Sequence, residues 1–241
     1  MKTALITGAN RGIGRAVAQQ LADQGMTVIV GARDTAAGEA AAQEIGRGAM
    51  SVQLDVTDPA SITAAALQIS RTHGSLDVLV NNAGILPEAT NADPTESVDL
   101  EMFRQTYATN VLGPVGVLEA FLPLLRTSPA GRIVNVSSTV GSLSDQTNPE
   151  SPYYSMVLPA YQSSKAALNN ITIALAKQLA DTPITVTSVC PGFVQTDLTP
   201  INHEQAPLTA DQAAVPIVVA ATLPEGAASG TFIDANGPVA W

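Results

Sequence analysis

Tyr161 and Lys165 stand four residues apart in the stretch Tyr161-Gln162-Ser163-Ser164-Lys165. On a helix this spacing puts both side chains on one face, with Cβ atoms about 5–6 Å apart. A phenol alone titrates near pH ~10 and is a poor proton donor at neutrality. An ammonium beside it favours the phenolate and lowers that value, which makes a tyrosine a usable acid or base. The same pair also decorates ordinary helix surfaces, so its meaning depends on what the rest of the chain builds around it.

Holding such a pair in place takes a helix over residues 160–180 and a scaffold behind it. Short apolar runs at 3–7, 27–30, 52–54, 77–80, 132–136, 184–189 and 230–233 read as strands. Their near-continuous apolar character fits strands covered on both faces. Between them, 12–24, 35–45, 59–73, a long segment that includes 110–125, 160–180 and 210–223 read as helices. Ile13, Val17 and Leu21 share one face of the first, and Pro59 suits the opening turn of the third. Strand–helix alternation predicts an α/β fold, a Rossmann-type doubly wound parallel sheet, as a single domain over residues 1–241. The polar stretch 142–159, just before the Tyr161 helix, reads as a surface loop.

The turn after the first strand is Thr7-Gly8-Ala9-Asn10-Arg11-Gly12-Ile13-Gly14. Glycines there let backbone amides approach a pyrophosphate, and the helix N-terminus that follows favours its charge. A buried strand before it and an amphipathic helix after it supply the context a dinucleotide site requires. An NAD site places an acid after the second strand, on the ribose 2′-hydroxyl. Here that place reads Gly31-Ala32-Arg33-Asp34. Ala32 leaves the acid position empty, and Arg33, with Arg11 as a second cation, can meet a 2′-phosphate, which points to NADPH/NADP+. Asp34 works against this if it pairs with Arg33.

The chain has 241 residues, 46% of them hydrophobic, with 11 basic against 21 acidic side chains and a net charge of −10. The basic residues are scattered, so neither nucleic acid nor an anionic membrane is an expected partner. Cys190 is the sole cysteine; it excludes an internal disulfide and reads as a small buried residue at a strand end. No apolar run in the sequence approaches the roughly 20 residues of a membrane helix. The N-terminus lacks a signal-peptide pattern, so the cytoplasm is expected. Neither His73 nor His203 has metal-ligand company, so no metal is expected, and both histidines read as idle.

In order along the chain come Thr7-Gly8-x-x-x-Gly12-Ile13-Gly14, Asp55-Val56, Asn81-Asn82-Ala83-Gly84, Asn110, Ser138, Tyr161-x-x-x-Lys165 and Pro191-Gly192. With these motifs the chain resembles the short-chain dehydrogenase/reductase family over essentially its whole length, and within it the carbonyl reductases. The resemblance implies reversible NADPH-dependent reduction of a ketone or aldehyde, the small-molecule carbonyl substrate. Tyr161 would be the general acid, Lys165 would lower its proton affinity and hold the nicotinamide ribose, and Ser138 rather than Ser137 would bond the substrate oxygen. Asn110 would hold a water linking Lys165 to solvent. Gly8, Asn10, Arg11, Gly12, Ile13, Gly14 and Arg33 would line the phosphates. Asp55 and Val56 would contact adenine, and Asn82, with Ala83 and Gly84, the adenosine ribose region. Pro191, Gly192, Val194 and Thr196 would border the nicotinamide, Thr196 fixing its carboxamide.

Ser138 and Tyr161 lie 23 positions apart, about ten more than the family's short forms have. The extra segment falls within 142–159 and holds Tyr153, Tyr154 and Met156, which are expected to roof the substrate pocket and select an apolar or aromatic ketone. The same insert would obstruct the family's usual dimer interface, so a monomer is expected, with homodimer or tetramer open. Residues 195–207 read as a mobile substrate lid. Trp241 is expected to pack the C-terminal end. The alternative reading is a catalytically silent NADPH-binding redox sensor, although Asn110, Ser138, Tyr161 and Lys165 are all present.

Overall fold

The computed structural model describes residues 1–90 and 98–241. Eight strands form one sheet in the order β3-β2-β1-β4-β5-β6-β7-β8. They are β1 (Thr3–Thr7), β2 (Thr27–Ala32), β3 (Met50–Gln53), β4 (Val78–Asn81), β5 (Arg132–Val136), β6 (Thr185–Val189), β7 (Thr231–Asp234) and β8 (Gly237–Pro238). All pairings are parallel except β7 with the short β8. The strand order reverses direction between β1 and β4, so a crevice opens beyond their C-terminal ends, where such sheets bind ligands.

Side chains alternate across the strands and build two cores. Ala4, Ile6, Val28, Val30, Val80 and Val134 face helices α1 (Gly12–Asp23), α2 (Thr35–Ile45) and α9 (Ala210–Ala221). Leu5, Ile29, Leu79 and Ile133 face α3 (Pro59–His73) and α5 (Gly113–Leu125), with Leu175, Ala176 and Leu179 at the far end of α7 (Pro159–Gln178) completing that side. Helix α4 (Leu100–Tyr107) runs into a π-helical turn, Ala108–Leu112, and then directly into α5. This continuous stretch, Leu100–Leu125, is long and apolar enough to cross a membrane, with a mean hydropathy of 1.5 over its best window, contrary to the sequence expectation. Half of that window is buried in the body of the fold, and Val117, Phe121 and Leu125 are completely enclosed. Core packing is what its apolar content serves.

Residues 142–159 are not simply a loop. Leu143–Thr147 forms a short helix, α6, because Ser142 caps it by accepting the Asp145 N–H. Residues 195–207 likewise contain a helix, α8 (Pro200–Gln205), capped by Thr199. Both caps are serine or threonine hydroxyls, the residues best suited to satisfy first-turn amides. The ring of Trp241 stacks on Phe232 with centroids 5.5 Å apart, and its carbonyl accepts from both the N–H and hydroxyl of Ser144. Trp241 therefore packs the terminus and anchors α6.

Candidate active site

The glycine turn joins β1 to α1 at the crevice. Gly8 and Gly12 adopt φ of +64° and +54°, a region that side chains disfavour. Gly14 has no room for a side chain, since a Cβ would lie 2.6 Å from the Gly8 carbonyl oxygen and 2.5 Å from Asn82 Nδ2. Helices α2, α3, α4 and α9 are capped by Asp34, Asp58, Asp99 and Thr209, but no side chain caps α1. Its first-turn amides thus keep their donors for an anion, and half-buried Asn10 and Ile13 flank them. These features fit the pyrophosphate of a dinucleotide.

The Asn81–Gly84 stretch locks this turn from the neighbouring strand. Asn82 Nδ2 donates to the carbonyls of Thr7, at 2.9 Å, and Gly8, at 3.2 Å. Thr7 Oγ1 accepts from the N–H groups of Asn82 and Ala83. Asn82 thereby shapes the turn itself, and its amide nitrogen is committed there. At the second strand, Asp34 spends its carboxylate on the Ala37 N–H at the start of α2. Among the described residues no ion pair joins it to Arg33, so the exposed guanidinium stays available. Asp55 is held below the usual carboxylate range, first by the N–H and then by the hydroxyl of Thr57. The adjoining Val56 side chain is buried and packs on Gly113.

Arg11 does not point toward the Arg33 end. It pairs with Asp197 at 3.1 Å, and the other oxygen of Asp197 contacts His203 Nε2 at 2.6 Å. His203, expected to be idle, instead ties α8 to the start of this segment. Sequence reasoning missed Asp197 because its partner lies far back in the chain. Thr196 lies against the glycine turn, where a Cβ on Gly12 would come within 3.4 Å of Thr196 Cγ2. Behind it, Gly192 has φ of +85°, and buried Val194 bridges to Leu208. The Pro191–Thr196 strip therefore folds back over the cofactor crevice.

Asn110, Ser138, Tyr161 and Lys165 converge at the mouth of that crevice. The π-helical turn points the buried Asn110 inward, where Oδ1 accepts the Ile85 N–H and Nδ2 donates to the Ile85 carbonyl. Nδ2 also donates to Ser164 Oγ at 3.2 Å, which lies on α7. Gly84 fills the gap between the two groups. A Cβ there would lie 3.5 Å from Asn110 Oδ1 and 3.7 Å from Lys165 Nζ. After β5, Ser138 caps a 3₁₀ turn, Thr139–Gly141, and is half-buried, whereas Ser137 is buried with its hydroxyl on the Lys165 carbonyl. Of the two serines, Ser138 is the one with access to the crevice.

Lys165 Nζ lies 5.5 Å from the centre of the Tyr161 ring and donates to the Val136 carbonyl at 2.9 Å. Burial pushes its pKa down to about 8, with the Cys190 sulfur acting in the opposite direction. Burial also pushes the Tyr161 phenol up, and Cys190 adds to the effect. This upward push works against the lowering expected from the Lys165 ammonium. The Lys165 ammonium donates its hydrogen bond to a main-chain carbonyl, not to the phenol.

A pH test of this burial follows. The Lys165 value of about 8 is below the ordinary 10.5, so between them the unfolded chain binds more protons than the folded one. The stability contribution of this group is lowest below pH 8 and rises with pH through that window. The Tm of the wild type should therefore gain on that of Lys165→Met as pH is raised from about 7 to about 10. A gap that does not change would mean that Lys165 is not desolvated in the fold.

The roof residues Tyr153, Tyr154 and Met156 are not brought onto the tetrad by any side-chain hydrogen bond. Tyr154 is 51% exposed and Met156 39%. The connection runs through the backbone, where Gln162 Nε2 donates to the Met156 carbonyl at 3.1 Å. Among the described residues, no group of three or more His, Cys, Asp or Glu side chains is placed to hold a metal.

The short chain dehydrogenase family model matches residues 2–206. The chain belongs to the short-chain dehydrogenase/reductase family. The short-chain dehydrogenase anuI of Penicillium roqueforti is 39% identical over 227 residues, covering 90% of this chain and 87% of that one. The (+)-neomenthol dehydrogenase of Arabidopsis thaliana is 33% identical, covering 95% and 94%. Among solved structures, an NADPH-bound carbonyl reductase from chicken fatty liver superposes with a TM-score of 0.83 at 32% identity, over 100% of this chain and 99% of that one.

Proposed function

We propose that the protein is an NADPH-dependent reductase of ketones or aldehydes, with Tyr161 as general acid. The observation that carries this reading is the placement of a tyrosine, a buried lysine and a half-buried serine hydroxyl beside a phosphate-ready glycine turn. When bound, the nicotinamide supplies the hydride. Ser138 and Tyr161 offer two hydroxyl donors for the carbonyl oxygen, where negative charge develops. Tyr161 gives that oxygen its proton. Lys165, mostly protonated at neutral pH, stabilises the resulting phenolate. Asn110 and Lys165 face each other across Gly84, the gap through which a proton would return from solvent.

Arg33 supports NADPH over NADH, being exposed at the end of β2 while Asp34 is engaged elsewhere. Arg11 contributes to a 2′-phosphate only by leaving Asp197, which assigns most of the preference to Arg33. The NADPH-bound chicken carbonyl reductase among the structural neighbours is consistent with this choice. The exposed apolar residues Tyr154, Met156, Val157, Phe193 and Ile201 all lie on segments following the C-terminal ends of β5 and β6. They favour an apolar or aromatic carbonyl substrate. Buried Cys190, the sole cysteine, suits a reducing compartment such as the cytoplasm.

The test is cofactor consumption with NADPH and with NADH over a panel of apolar ketones and aldehydes, for wild type and Arg33→Ala. Wild type is expected to require NADPH. Arg33→Ala should lose about 10- to 100-fold in kcat/KM for NADPH, the worth of a hydrogen bond to a charged group, with no loss for NADH. Equal use of both cofactors by the wild type would overturn the cofactor assignment. No turnover despite tight NADPH binding would favour a cofactor sensor.

A further inference from the structure

The helix that carries Tyr161 and Lys165 has no local cap. Its N-cap residue is Leu158, whose side chain accepts no bond. The first N–H groups of a helix have no partner within it. Here the Leu158 N–H donates to Gln162 Oε1 at 2.9 Å, and Pro159 has no N–H. The two that remain belong to Ala160 and Tyr161. Both go to Glu88, the Ala160 N–H to Oε1 at 2.9 Å and the Tyr161 N–H to Oε2 at 2.7 Å.

Glu88 lies 72 and 73 positions away from these partners, in the 3₁₀ turn Pro87–Thr90 that follows the Asn81–Gly84 stretch. The same segment is clasped on its other side by Asn110, through both backbone groups of Ile85. Residues 84–88 are therefore pinned at one end to Asn110 and at the other to the backbone nitrogen of the catalytic tyrosine. A carboxylate at this end also suits the positive pole of α7. A serine or aspartate at position 158 would satisfy the amides equally well, but it would not fix the helix to the strand that shapes the cofactor turn.

We propose that Glu88 is a positioning residue. Its carboxylate fork sets where α7 begins relative to Asn110 and the glycine turn, and so sets the reach of Tyr161 and Lys165 toward the crevice. This rests on the reading of Tyr161 as the acid. Geometry of this kind is sensitive, since a 1 Å misplacement can cost about 10²-fold in rate.

The test uses Glu88→Ala, Glu88→Gln and Glu88→Asp in the full chain. Gln keeps the length and one acceptor oxygen, whereas Asp keeps the charge but is one methylene short. Glu88→Ala is expected to lower kcat at saturating NADPH and substrate by about 10- to 100-fold. Its NADPH Kd, read by cofactor fluorescence, should stay within about twofold of wild type. Gln should recover part of kcat, and Asp should not. Independently of turnover, amide hydrogen exchange at residues 160 and 161 should quicken in Ala and Asp and less so in Gln. A folded Glu88→Ala with wild-type kcat overturns the proposal, as does a loss that Gln and Asp share equally. Should Glu88→Ala fail to fold, Glu88→Asp carries the same comparison. If the wild type reduces no carbonyl, the reductase reading fails, and unchanged amide exchange in the variants would remove the clasp separately.

Discussion

Tyr161→Phe is expected to lower kcat for carbonyl reduction by about 10²–10⁴-fold, the usual worth of a positioned general acid, while NADPH still binds. The substitution removes one oxygen and keeps the ring. The ring is only half-buried, and its backbone N–H remains on Glu88, so the helix should hold its place. Lys165 keeps its bond to the Val136 carbonyl, which does not involve the phenol. What disappears is the hydroxyl that would donate to the carbonyl oxygen. Ser138 alone can still bond the carbonyl oxygen but has no lysine beside it to stabilise the deprotonated state. Following nicotinamide absorbance under single-turnover conditions separates binding from chemistry. A variant that reduces carbonyls within a few-fold of wild type would remove Tyr161 from the mechanism and shift the weight to Ser138 or to solvent.

The second large effect is expected at Gly141, a residue packed between the Ser138 turn and α7. It ends the 3₁₀ turn capped by Ser138 and lies directly on α7. A Cβ at this position would stand 2.6 Å from Lys165 Cβ, 2.8 Å from the Lys165 carbonyl carbon and 2.9 Å from the Ala166 nitrogen. Two of those atoms are main chain within a 20-residue helix and cannot swing aside. Gly141→Ala must instead push the Ser138 turn and α7 apart. Overpacking of this sort costs about 1–3 kcal/mol, or about 2–4 °C of Tm for each kcal/mol in a domain of this size. The loss in kcat should exceed what the lost stability explains, since Ser138 and Tyr161 must reach one carbonyl oxygen together. Gly116→Ala in α5 is the control, because its Cβ would meet only the end of the Ile62 side chain, at 3.2 Å. That variant should keep both activity and Tm. If Gly141→Ala behaves like Gly116→Ala, the turn and the helix are not packed as described.

Much of this was legible along the chain. The glycine turn is a local device, since the φ of Gly8 and Gly12 and the crush around Gly14 are decided within a few residues and their nearest strand. The pairing of Tyr161 with Lys165 follows from helical periodicity alone. Apolar runs located β1 to β7 to within about two residues, because β-branched and aliphatic residues cluster there even where Thr, Ser, Arg or Asn intervene. The choice of Ser138 over Ser137 came from the motif; in the structure Ser138 is half-buried and Ser137 buried. The C-terminal strand β8 escaped because a two-residue strand has no period to read. Helices α6 and α8 escaped because polar, proline-rich stretches look like loops until their caps are seen.

What only the tertiary structure decided are the interactions whose two halves lie far apart in sequence. Glu88 looks like an ordinary loop acid until Ala160 and Tyr161 arrive above it. Arg11 was placed by its motif at the 2′-phosphate, yet Asp197 claims it once the strip after β6 folds back. The π-helical turn that points Asn110 inward has no signature in residue type, being set by how α4 and α5 pack. The proton affinity of Tyr161 is of the same kind. Spacing determined that an ammonium would stand nearby, but burial is a property of everything packed around the pair, and it pushes the phenol the opposite way. Residue type and local geometry fixed which groups are present and which way they face; the free energy of each depends on the solvent it loses and the distant partner it meets, and neither is written within a few residues of it.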